Sequence, residues 1–128
     1  MKRFEKYSKY SSLVLRVVLG LAFAAHGWQK VAGLDGVVGF FATLGLPAFV
    51  AYLVAFAELL GGIAILAGAF TRYAALVIGV IMLGAIFLAK LKVGYLGGYE
   101  MDLAYLAMSL SLALTGAGEY SVDKKKHW

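Results

Sequence analysis

The chain has 128 residues, 62% of them apolar and 15% charged, with a formal charge of +5 and a mean hydropathy of +0.85. A soluble domain averages roughly 45–50% apolar and about 25% charged residues, so water is not the only solvent this chain meets. The length suits one domain, the lack of cysteine excludes disulfides, thiol catalysis and thiolate metal sites, and no basic patch interleaved with aromatics points to nucleic acid.

A transmembrane helix needs about 20 mainly apolar residues. Four segments of residues 1–128 qualify as spans, at about 12–32, 48–70, 73–91 and 101–115. The first follows a basic N-terminus and carries Arg16 within its apolar run. A cleaved signal peptide, with Ala22-Phe23-Ala24 as the small-residue site, is its rival reading. Arg16 interrupts that h-region and the apolar segment continues past it, so we read a span. The second span begins after the breaker LGLP that ends at Pro47. A Thr71-Arg72 link joins it to the third. The fourth opens with Glu100 and Asp102. The Gly-rich stretches 32–46 and 92–98 are read as connections. No alternating barrel pattern is present, so helices must satisfy the backbone in lipid. The expected architecture is therefore an all-α bundle of four transmembrane helices.

Lysine and arginine counts set the orientation. Lys2, Arg3, Lys6, Lys9, Arg72, Lys124, Lys125 and Lys126 fall on one side of a four-span chain, and Lys30, Lys90 and Lys92 on the other. That bias places both termini in the cytoplasm.

Charge inside a span costs at least ~2.5 kcal/mol at the helix centre, so intramembrane ionisable residues are functional candidates. Arg16, Gly20, Phe23, Gly27 and Lys30 share one face of the first span by their spacing of four and three, and His26 borders it. Ala51, Ala55, Glu58 and Gly62 share a face of the second, and small residues at such spacing mark close helix contact. At ~1.5 Å rise per residue, Arg16 lies about 9 Å to the inner side of the midplane and His26 about 6 Å to the outer side, with Glu58 between. These depths suggest an Arg16–Glu58 pair or a Glu58–His26 hydrogen bond. Lys30, Lys90, Lys92, Glu100 and Asp102 fall at similar outer depth, near Trp28, Tyr95, Tyr99 and Tyr105. Lysines there ordinarily anchor at the headgroups, aromatics form a belt, and Asp102 suits a helix N-terminus. An outward vestibule with aromatic walls would fit a flat amphipathic ligand such as a quinone.

The ordered motifs are Arg16 in the first span, HGWQK at 26–30, LGLP at 44–47, ELLGG at 58–62, the Thr71-Arg72 turn, Glu100 opening the last span and GAGEYSVD at 116–123. Together they resemble the DoxX family of small four-helix bacterial membrane proteins, over nearly the whole chain. The resemblance implies a multi-pass protein of the bacterial inner membrane. It links the chain to thiosulfate:quinone oxidoreductase, to resistance against quinones and catechol-type compounds, and to membrane complexes handling oxidative stress. In the sulfur-oxidising relatives the DoxX-like chain works with a second subunit. The lack of cysteine argues against a covalent sulfur intermediate on this chain.

The reading carried forward is a quinone-linked oxidoreductase or its quinone-binding subunit. Reduction of a quinone requires protons, and histidine is the residue type that titrates nearest neutrality. His26 and Glu58 are the candidate catalytic residues, and Arg16, Lys30, Tyr99, Glu100 and Tyr105 the candidate binding residues. No metal ligands and no covalent cofactor are assigned; GLDGVVG lacks the strand–turn–helix setting of a dinucleotide site. The partners expected are the bilayer, a quinone, and a second redox subunit or a homo-oligomer; a transporter of this size would need to dimerise, for which Gly20, Gly84 or Gly61-Gly62 could serve. The alternatives are a non-catalytic membrane partner or assembly factor, and a small proton-coupled transporter.

Overall fold

The computed structural model describes residues 7–118 and 121–122. Lys2, Arg3, Lys6, Lys124, Lys125 and Lys126, which set the orientation above, lie outside the described residues, as do Glu119, Tyr120 and Asp123 of the last motif. A 3₁₀ turn at Ser8–Tyr10 leads into α1, Ser11–Ala32. The chain continues through α2 (Leu34–Thr43), α3 (Ala48–Ala67), α4 (Thr71–Ala85) and α5 (Glu100–Thr115). A wide π-helical turn, Ile86–Lys90, extends α4, closed by the Leu91 amide donating to the Ile86 carbonyl at 2.9 Å. The described residues form no strand.

The four spanning segments therefore fall at α1, α3, α4 with its π turn, and α5, and one boundary moves inward. α3 stops at Ala67 because Gly68 adopts φ +72, a left-handed conformation that suits glycine. The Gly68 amide donates to the Ile65 carbonyl (3.1 Å) and the Ala69 amide to the Ala64 carbonyl (2.9 Å), which closes the helix as a Schellman motif. The stretch 32–46 is more than a connection: it holds α2, a ten-residue and mainly apolar helix that packs on α3 without one of its residues being buried. Gly45, at φ +79, ends α2 in the same manner before Pro47 opens α3.

The core draws on four helices at once: Leu19 and Phe23 of α1, Ile65 of α3, Ala75, Ile78 and Met82 of α4, and Leu112 of α5. Outward faces carry Val14, Val18, Leu53, Leu60, Val80, Leu110 and Leu114, all exposed. That apolar exterior suits hydrocarbon, not water. α1 with its leading turn, α3, and α4 with its π turn each have the length and hydropathy to cross a bilayer. α5, with 16 residues, is shorter and begins with acidic residues.

The most extensive packing in the molecule joins α1 to α3. Gly20 sits against Leu66 and Gly62, Ala24 against Gly62, and Gly27 against Leu59. The pairs step in opposite directions along the two helices, so the seam is antiparallel and in constant register. A methyl on Gly27 would overlap the Leu59 backbone, and one on Gly62 would overlap that of Ala24. Gly20 and Gly62 are thus engaged within the chain and do not offer a dimer face; Gly61 lies over Ile78, and Gly84 is open. Gly27→Ala should destabilise the bundle by about 3 kcal/mol, the upper end of overpacking costs. Gly39→Ala, where nothing lies within 4 Å, should be tolerated. Thermal melts of the two variants in detergent check this; equal stability would contradict the seam.

Candidate functional site

The α1–α3 register decides which polar groups can meet. Gly27 lies against Leu59, so Glu58 faces the last turns of α1, at the level of residues 26–30. Its side chain is almost fully buried, at 2% exposure, and Ala51, Ala55, Gly61 and Gly62 are buried on the same helix. The partner it finds is Lys30: Nζ donates to Oε2 in a direct ion pair. Lys30 lies in the last turn of α1, where a cation also complements the helix dipole.

Arg16 is buried as well, about four turns before Lys30 on α1. Its Nη1 donates to the Leu66 carbonyl at 3.3 Å, in the last turn of α3, and packs over Gly68 beside Ser121. The pairing anticipated between Arg16 and Glu58 is thus replaced by Lys30–Glu58. The reason is the register: Arg16 faces the C-terminus of α3, beyond reach of its middle.

A second ion pair lies at the same end of the bundle. Lys90, in the π turn, donates to Asp102 Oδ1 at 3.1 Å and approaches Oδ2 at 2.9 Å. Asp102 lies in the first turn of α5 and is buried, so its helix-terminus position and its ion pair act together. His26 makes no side-chain hydrogen bond among the described residues. Its ring instead stands edge-on to Phe23 (5.8 Å between centroids) and Tyr105 (6.0 Å). Phe23 and Tyr105 are themselves 5.1 Å apart, so this aromatic cluster ties α1 to α5.

These groups converge on one cavity of about 1300 Å³. It is bounded by the last turns of α1, by α2, by facing sides of α3 and α4, and by the start of α5. Lys30, Glu58, His26, Tyr105, Lys90 and Asp102 all line it, with Gln29 beside them. The remaining wall is almost wholly apolar. Leu53 of α3, Val80 of α4 and Phe40 of α2 line the cavity and are all exposed. Three other sequence candidates stand elsewhere. Arg16 is at the far end of the bundle. Tyr99 stacks edge-on with Tyr95 at 5.5 Å. Glu100 is exposed and accepts from the Gly97 amide at 3.0 Å, fastening a turn in which Gly97 has φ +73.

The sequence model of the DoxX family matches residues 11–91, which cover α1 to the end of the π turn. The chain belongs to the DoxX family. Among curated relatives, "Putative oxidoreductase CatD" of Bacillus subtilis is 38% identical over 118 residues, covering 92% of this chain and 88% of that protein. "Inner membrane protein YqjF" of Escherichia coli is 33% identical over 129 residues, covering 97% of this chain and 99% of that protein. No solved structure matches. As a DoxX protein the chain is a multi-pass membrane protein, and the cavity lies almost wholly within the matched region, completed by the start of α5.

Removing one partner of a buried ion pair strands the other and costs about 3–5 kcal/mol, while replacing both by apolar groups is often near neutral. Lys30→Met should therefore be strongly destabilising, and Lys30→Met with Glu58→Leu should return close to wild type. A double-mutant cycle on reversible unfolding in mixed micelles measures this. Simple additivity of the two single changes would rule out the pair.

Proposed function

We propose that this DoxX protein is the quinone-binding membrane component of an oxidoreductase that serves redox balance or defence against quinone stress. The observation that carries the reading is the cavity itself: an apolar cleft edged by lipid-facing side chains, ending on aromatic rings and two ion pairs. A quinone is a flat apolar molecule dissolved in the bilayer, with two oxygens that need polar partners. Entry between α3 and α4 would bring it directly from lipid. Phe23 and Tyr105 would pack against the ring. His26 and the Lys30–Glu58 pair would face its oxygens.

Conversion of a quinone to its quinol takes two electrons and two protons. In this reading a second redox subunit donates the electrons. The protons pass through His26 and the Lys30–Glu58 pair. The oxidoreductase name of the Bacillus subtilis relative supports the same class of chemistry. Lys and Arg bias supports a topology in which both termini are cytoplasmic and the ion-paired end faces outward. Bacterial inner membrane is the compartment that fits this topology and the Escherichia coli relative's name.

A second reading has one observation in its favour. Buried ion pairs can specify a unique packing without taking part in chemistry, so the network would equally serve a non-catalytic partner or assembly factor. Binding separates the two. Protein in nanodiscs should bind short-chain menaquinone and ubiquinone analogues saturably. His26→Phe should retain binding but slow electrode-driven, proton-coupled reduction of the bound quinone by about 10²-fold. Absence of saturable binding in the wild-type protein would remove the quinone reading.

A further inference from the structure

The two ion pairs in the cavity share an asymmetry. Each acidic side chain is withdrawn into protein, while each lysine side chain stands partly open: side-chain exposure is 32% for Lys30 against 2% for Glu58, and 39% for Lys90 against 8% for Asp102. A ligand in the cavity therefore meets two ammonium groups, with the compensating negative charge behind them. Glu58 and Asp102 are the acidic residues among its lining, and both are the withdrawn members. A pair whose two charges sit at different distances from a ligand does not cancel, and in a low-dielectric cleft the residual field is strong. Lys ammoniums also keep free donors after pairing, since each has three protons and spends one or two on its carboxylate.

From this we infer that the cavity selects a planar ring bearing an oxyanion over the neutral ring of the same shape. Phe23 and Tyr105 supply the surface for the ring; Lys30 and Lys90 supply the charge. The inference rests on the quinone-site reading and narrows its ligand class: the preferred form is an ionised hydroxyquinone or the anion of a partly reduced quinone.

Two naphthoquinones of nearly equal size test it. 2-Hydroxy-1,4-naphthoquinone is an anion at neutral pH, and 1,4-naphthoquinone is uncharged. Each is equilibrated by dialysis with protein in phosphatidylcholine nanodiscs, with empty nanodiscs subtracted. The expected result is at least tenfold tighter binding of the anion to wild-type protein. That ratio should fall toward one in Lys30→Gln with Glu58→Gln, and in Lys90→Gln with Asp102→Asn. It should persist in Gly39→Ala, which lies outside the cavity lining. If the uncharged ring binds and the anion gains nothing, the charge selectivity is wrong while the quinone site stands. If neither ring binds, both fall. A ratio that persists in both double variants would also overturn the inference, because the charge would then come from elsewhere.

Discussion

The site depends on how closely α1 and α3 approach. A carboxylate at the middle of a membrane helix must be paired, because hydrocarbon offers it neither water nor counterion. Glu58 meets that requirement only because Gly27 and Gly62 let the two backbones touch in a fixed antiparallel register. The register brings the end of α1, with His26 and Lys30, opposite Glu58. Moved by a turn, the same helices would leave Glu58 facing apolar side chains.

The second pair extends this logic. A π turn at the end of α4 delivers Lys90, and the first turn of α5 delivers Asp102. Both ion pairs therefore stand at one end of the bundle, on a cavity that α2, α3 and α4 also line. The tight seam and the open cleft are two sides of one arrangement. Gly62 of α3 meets α1, while Val50, Leu53 and Val54 of α3 line the cavity together with Val77, Val80 and Ile81 of α4.

Much of this was legible in the sequence. Hydropathy gave the four segments, and the spacing of Ala51, Ala55, Glu58 and Gly62 identified the buried face of α3, all four of which are buried. The glycines at 20 and 27 signalled close approach, and the DoxX resemblance agrees with the family match. Other features were not legible, for physical reasons. α2 contains Gly36 and Gly39, so its sequence reads as a connection; packing on α3 holds it helical. Arg16 appeared as Glu58's partner because depth alone cannot fix the register of two helices, and several residues of slip separate the two outcomes. Lys30 and Lys90 looked like headgroup anchors, and Asp102 like a helix cap, because a snorkelling lysine and an inward-turned one have the same sequence signature. The proximity of Lys90 to Asp102 depends on the turn at 95–98, built on Leu96 and Gly97.

The most direct measurement is the contact between Lys30 and Glu58 in a bilayer. Protein labelled with ¹⁵N at lysine Nζ and ¹³C at the glutamate side-chain carboxyl can be reconstituted in lipid and examined by solid-state NMR dipolar recoupling. The account predicts a contact-range ¹⁵N–¹³C coupling that disappears in Lys30→Met and survives replacement of Arg16 by Met. No such coupling in the wild-type protein, or one that depends on Arg16 instead of Lys30, would contradict it.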